Sequence, residues 1–200
     1  SKKNKNFDII RKYGNDLKVD LCLCTEKDAE RISDTKNSQQ IFALIQYNAI
    51  ADIKTLKIHQ EPFIIFDGIS DPGNMGTILR TCSWFGCYNI ILTKHSVELY
   101  NPKAVRSGMG AHFHMKNIFN GSIEDINNFL NKNKYEIYIA DLKGKNIETL
   151  KSTNDNWSLI LGNESKGISK EFKKNAKQIH IPGKGKMESL NVAEAASIVI

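Results

Sequence analysis

Apolar residues fall along this chain in short runs separated by polar and glycine-rich stretches. Runs of strand length recur at 63–66, 89–92, 136–140, 158–161 and 178–181. Segments with helical spacing lie between them at 74–85, 122–131 and 170–176, and a last one starts at Ser189 and continues to the chain end. Strands alternating with helices predict an α/β fold: a mostly parallel sheet with helices on both faces.

The pattern is thinner before residue 62. Residues 19–24 and 41–46 read as two short strands. Thr25 is placed to cap a helix, with Asp28 three residues on as an imperfect capping box. Residues 49–61 are polar and irregular and read as a linker. The stretch before them is short for a core of its own. A partial N-terminal domain with its linker is therefore expected over 1–58, and the main domain over 59–200. The last helical pattern reaches Ile200 with no C-cap signal, so that domain is expected to be clipped there.

Composition narrows the classes. At 40% hydrophobic and 25% charged the chain reads as a water-soluble globular protein. No apolar run approaches the ~18–20 residues that span a bilayer, and the basic N-terminus has no apolar core of a secretory signal. A cytoplasmic protein with no membrane partner is expected. The formal charge of +6 is compatible with a polyanionic partner and equally with a basic small-molecule enzyme. Cys22, Cys24, Cys82 and Cys87 lack the paired spacing of a zinc site. The histidines are scattered, with His112 and His114 on alternate residues of an expected strand, so no metal is expected.

Three loops carry the candidate chemistry: "DGISDPGNMG" from Asp67, "LGNESKG" from Leu161 and "IPGKGKMESLN" from Ile181. Each follows an apolar run, where open α/β sheets bind ligands. Two familiar patterns fail. In "GNESKGI" Ile168 stands where a phosphate-binding loop needs lysine, and "HIPGKGKM" lacks the first glycine and the final hydroxyl. Gly-x-Gly-x-x-Gly is absent after the first strand of the main domain. A nucleotide hydrolase and a dinucleotide enzyme are both disfavoured. Backbone groups, a few amides and one acid suit an adenosine ligand held by main chain better than a triphosphate.

These loops, in this order, resemble the SPOUT class of methyltransferases, specifically the SpoU (TrmH-like) family of tRNA/rRNA ribose 2′-O-methyltransferases. The resemblance rests on "DPGNMGTILRTCSWFG", "ILGNESKGIS" and "IPGKGKMESLNVAEAASI", with "NPKAVRSGMGAHFHM" between the first two. The earlier "ERISDTKNSQQIFALI" resembles the end of a small ribosomal-protein-like RNA-binding domain. Membership implies a C-terminal deep trefoil knot, a homodimer, S-adenosylmethionine as cofactor, and methyl transfer from its sulfonium to a ribose 2′-hydroxyl. The acceptor is then RNA and not DNA, which lacks that hydroxyl. The appended domain tilts the choice from tRNA toward rRNA. A catalytically inactive RNA-binding module is the alternative from another class.

The resemblance also implies site residues, each with a plainer alternative. Arg80 is expected to stabilise the developing alkoxide, since arginine stays protonated and is a poor base; alternatively it only grips phosphate. Asn74 would orient the ribose or Arg80, or cap its helix. Glu164 would fix Arg80 or Asn74, or be a solvated loop acid. Ser189 and Asn191 would face the reacting centre, with Ser189 an equally good helix cap. Leu161, Gly162 and Gly167 are expected to wall the cofactor, and Ile181 and Leu190 to clamp its adenine or to be core. Arg106 and Ser107 are expected to contact RNA or the partner subunit, or to be surface-loop residues, and Lys184 is a further expected RNA contact. Gly183 departs from the larger residue common in the family.

Overall fold

The computed structural model describes residues 6–33, 41–47, 49–57, 61–150 and 156–200. In chain order the elements are α1 (Phe7–Asp16), α2 (Glu26–Ile32), β1 (Ala51–Asp52), β2 (Phe63–Asp67), α3 (Pro72–Phe85), β3 (Asn89–Thr93) and α4 (Pro102–Gly108). There follow β4 (Asn117–Gly121), α5 (Ile123–Lys132), β5 (Glu136–Asn146), β6 (Trp157–Gly162), α6 (Lys170–Lys173), β7 (Lys177–His180) and α7 (Val192–Val199). Two compact units divide the chain, Ser1–Asn48 and Ala49–Ile200.

In the first unit, α2 is closed by the expected capping box: Thr25 Oγ1 accepts from the Asp28 amide, and Asp28 accepts from the Thr25 amide. The chain after α1 packs back on Gly14 within that helix, where a Cβ would lie 2.5 Å from the Leu21 side chain. Residues 19–24 and 41–46 are not strands. Their alternation is right, but a strand requires a hydrogen-bonded neighbour, and among the described residues of this unit no strand forms. Their apolar side chains, Leu21, Leu23 and Leu44 among them, stay exposed.

The second unit is a seven-stranded sheet of order β1-β4-β3-β2-β6-β5-β7, parallel at every paired strand. All of β2 and β3 is buried, so side chains of alternate residues feed two cores. Ile64, Phe66, Ile90, Leu92, Leu159 and Leu161 pack on one face with Ile78, Leu79 and Ala196 of α3 and α7. Phe63, Ile65, Ile91, Ile139 and Ile160 pack on the other with Ile126, Leu130 and Phe172 of α5 and α6. A strand buried on both faces reads as a continuous apolar run, which is why "FIIF" lacks the polar alternation of a half-exposed strand. Each such Ile or Phe contributes about 1.5–3 kcal/mol by leaving water.

Several expectations shift in detail. The expected linker contains β1 and a 3-10 turn, and β1 pairs with β4 at the sheet edge. His112 and His114 lie on a 3-10 turn and not on a strand. Asn74 does not cap α3: Asp71 does, with Pro72 at the first helical position and Gly86 ending the helix at φ 79°. Likewise Ser189 does not cap the last helix, which starts at Val192 under Asn191. Among the described residues no helix is long and apolar enough to cross a membrane, and no cluster of His, Cys, Asp and Glu could hold a metal ion.

Candidate active site

β2 is where the sheet changes direction, with β3 on one side and β6 on the other. Loops leaving the carboxyl ends of neighbouring strands diverge at such a point and leave a crevice. Here the loops after β2 and β6 are tied together across it. Asp67, at the end of β2, accepts from the Ser169 amide at 2.7 Å and from its hydroxyl at 3.1 Å. Asn163 Nδ2 donates to the Gly68 carbonyl at 2.7 Å, while its Oδ1 accepts from the amides of Ser165 and Lys166. The Gly68 amide, at φ 70°, is held by the hydroxyls of Thr93, at the end of β3, and Ser96, in the turn that follows.

Glu164 projects from this turn onto the start of α3. Its carboxylate accepts from the Asn74 side-chain amide at 2.8 Å, the Ser70 hydroxyl at 3.0 Å and amide at 3.3 Å, and the Asp71 amide at 3.4 Å. Burial pushes this carboxyl up, but the donors from Asn74 and Ser70 outweigh it and leave it below the ordinary glutamate value. Glu164 is thus an ionised anchor for Asn74. Arg80 is not among its partners.

Asn191 completes the constellation. Its Nδ2 donates to Asn74 Oδ1 at 3.1 Å, while its own Oδ1 caps α7 by accepting from Ala193 at 2.8 Å. Glu164, Asn74 and Asn191, one from each of the three motifs, therefore form a continuous hydrogen-bonded chain. A second contact joins the same helices farther along, Thr81 Oγ1 to Ser197 Oγ at 3.1 Å.

Arg80 stands on the solvent face of α3, in line with Gly73, Thr77 and Trp84, which recur at helical spacing. It is exposed, and among the described residues no ion pair engages it. Ser189 and Leu190 are exposed in the loop ahead of α7, and Ile181 is half-buried at its start. Lys184 is exposed in that loop as well. Leu161 is buried in the β6 core, whereas Gly162 is a spacing residue: a Cβ there would sit 2.5 Å from Ile168 Cγ1 and 2.7 Å from the Gly167 carbonyl carbon. Gly167 takes φ 69°. Arg106 is exposed on α4. Ser107 differs from its expected role, because its hydroxyl lies within hydrogen-bond distance of the Pro72, Lys103 and Ala104 carbonyls and so faces α3.

Ser70, Asp71, Asn163 and Lys103 escaped the sequence reading. Asp71 had a local signal, since an Asp-Pro pair opening a helical pattern is a cap followed by the residue best suited to the first turn. The others are recognised only through partners far along the chain.

The SpoU rRNA methylase family matches residues 61–200. The chain is similar to an uncharacterized tRNA/rRNA methyltransferase of Borreliella burgdorferi, 32% identical over 210 residues, covering 99% of this chain and 87% of that one. It is 27% identical over 201 residues to the 23S rRNA (guanosine(2553)-2′-O)-methyltransferase RlmP of Bacillus subtilis, covering 93% of this chain and 74% of the relative. Among solved structures, the AdoMet-bound rRNA methyltransferase of Sinorhizobium meliloti superposes with a TM-score of 0.69 at 27% identity, over 76% of this chain and 59% of that one. With the three motifs joined at one crevice and the match spanning β2 to α7, the chain belongs to the SpoU rRNA methylase family.

Proposed function

We propose that this protein is an S-adenosylmethionine-dependent RNA ribose 2′-O-methyltransferase acting on rRNA. The observation that carries the reading is the Glu164–Asn74–Asn191 chain, with Arg80, exposed and in no ion pair among the described residues, on the same helix as its middle member. The named rRNA activity of the Bacillus relative favours rRNA over tRNA.

The loops suit the cofactor. Cβ atoms at Gly183 or Gly185 would meet nothing within 4 Å, so the backbone of that loop borders open space. Leu161, Gly162 and Gly167 would wall the ligand, with Ile181 and Leu190 against the adenine. The sulfonium, when bound, supplies an electrophilic methyl group.

The remaining work falls to side chains. The carboxylate of Glu164 is taken up by Ser70, Asp71 and Asn74, so it holds Asn74 and does not serve as the base. Asn74 keeps one N–H and one lone pair after its two contacts, enough to orient a ribose hydroxyl. As the O–CH3 bond forms at the expense of the S–CH3 bond, the hydroxyl proton would pass to solvent water, and Arg80 would supply the cation beside the oxygen as that proton leaves, a preorganised electrostatic role of the kind that dominates many enzymes. Ser189 lines the reacting centre, and Arg106 and Lys184 hold phosphates, where each cation adds salt-dependent affinity.

Finer features belong to the same reading. The return of α7 from the β7 edge to α3, bonded at Asn74 and Thr81, supports a threaded, knotted C-terminal segment. Exposed Trp84 and Phe85 on α3, with Ile198 on α7, support a homodimer. The Ser1–Asn48 unit fits a role in RNA binding.

The test is transfer of labelled methyl from S-adenosylmethionine to rRNA, with a matched substrate lacking the 2′-hydroxyl at the mapped nucleotide. Label on the first and none on the second is expected. Calorimetric cofactor binding without any transfer to RNA would favour the inactive RNA-binding module.

A further inference from the structure

The first turn of α3 positions Asn74, and its cap uses only half of a carboxylate. Asp71 Oδ1 accepts from the Asn74 amide at 2.8 Å. Its Oδ2 faces α4, where Lys103 Nζ meets it at 2.9 Å. Lys103 starts from a fixed place, because Asn101 caps α4 through the Lys103 amide at 2.9 Å. The lysine stem then runs over Gly73. A Cβ on that residue would stand 2.7 Å from Asp71 Oδ1 and 3.4 Å from Lys103 Cε, so the missing side chain makes the passage.

Two more contacts bring α4 down on the same turn. Ser107 Oγ approaches the Pro72 carbonyl at 3.3 Å. Gly76 lets the helices touch, since a Cβ there would overlap Ser107 Oγ and the Ala104 carbonyl. The brace meets the site chiefly at Asn74. Asn74 is bound at its backbone by Asp71 and at its side chain by Glu164, so two carboxylates converge on it. The Asp71 amide also donates to Glu164.

We propose that Lys103 is a positioning residue for the methyl-transfer site: by holding the outer oxygen of Asp71 it fixes the first turn of α3 and keeps Asn74 and Glu164 in register. This rests on the function proposed above, though the brace itself does not. Both partners are largely exposed, with side-chain accessibilities of 57% and 44%, and ion pairs that open contribute little to folding. The lysine's effect is therefore directional and electrostatic. It supplies positive charge where Asp71 and Glu164 crowd together, and its pairing with Asp71 holds that carboxyl below its usual range. Other titratable side chains on the meeting loops include Asp67, engaged by Ser169, Lys166, two residues from Glu164, and His95, whose Cβ lies near Gly68.

The test compares Lys103→Met, Lys103→Arg, Asp71→Asn and the double variant Asp71→Asn/Lys103→Met in the full chain. Lys103→Met should lower methyl transfer ~10-fold, in the range a small misplacement produces. Cofactor affinity and Tm should stay unchanged, and Lys103→Arg should restore the rate. The double variant should be no slower than Lys103→Met. The Glu164 carboxyl, followed by NMR titration, should move up in Lys103→Met and down in Asp71→Asn, because the first removes a cation and the second an anion. A rate within twofold of the parent, or a Glu164 titration that does not move in Lys103→Met, overturns the proposal. If the parent transfers no methyl group, the functional reading fails, and the NMR titration alone still decides the role of Lys103.

Discussion

Asn74 and Asn191 lie 117 residues apart in the chain, yet their side-chain amides meet at 3.1 Å. Asn191 spends its oxygen on capping α7 and its nitrogen on Asn74. Exchanging Asn191 for Asp keeps the cap and removes the donor. That variant should retain the parent's Tm and lose at least ~10-fold in methyl transfer, an effect of geometry rather than folding. Asn191→Ala loses both contacts and should also unfold more easily, by about 1 kcal/mol in chemical denaturation.

How far the sequence exposes this arrangement depends on the range of the interaction that decides each element. The β2, β3 and β6 strands are legible because burial on both faces leaves uninterrupted apolar runs. β4 is hidden: "NIFNG" has two asparagines and a glycine, and it is a strand because β3 and β1 flank it. Residues 19–24 fail the other way, with the alternation but no neighbour. The shift of the α7 cap from Ser189 to Asn191 has the same cause, because both can cap locally and only contact with Asn74 favours the second. Motif order identifies Asn74, Glu164 and Asn191, but not that Glu164 serves Asn74 and not Arg80. That depends on a turn at Asn163–Gly167 closing against Gly68.

Gly76 is a requirement of contact between helices. Gly76→Ala would drive a methyl group into Ser107 Oγ and the backbone of Ala104. Ser107→Ala removes only the first obstruction, so it should not rescue the variant. The expected loss is roughly 1–3 kcal/mol or more, the range for overpacking a close contact, read by urea denaturation. Wild-type stability in Gly76→Ala would mean that α3 and α4 are not in contact at this point.

Arg80 yields a prediction of opposite character. It is exposed and has no ion pair among the described residues, so Arg80→Ala should leave Tm within about 0.5 kcal/mol equivalent of the parent. Cofactor affinity by calorimetry should persist while methyl transfer falls by ~100-fold or more, the scale for removing one electrostatic stabiliser. Comparable losses of binding and rate would place Arg80 in the cofactor pocket instead.

His112 sets an acid boundary on stability. It is buried, its Nε2 lies 2.9 Å from the Leu99 carbonyl, and among the described residues its Nδ1 has no hydrogen-bond partner. Burial lowers its folded-state pKa below the ordinary value, against a smaller opposing effect of the Leu99 carbonyl. A histidine depressed in this way binds its proton more readily in the unfolded chain. Its contribution to stability is therefore present above an unfolded value of about 6.5 and declines as pH falls below it. Between pH 7 and 5 the parent should lose stability with a slope that His112→Leu lacks, and Ser107→Ala should not alter that slope. The ring packs against Gly108 at the end of α4, so amide exchange in α4 should rise over the same interval before the central strands respond. An identical acid slope in His112→Leu would assign the transition to another group.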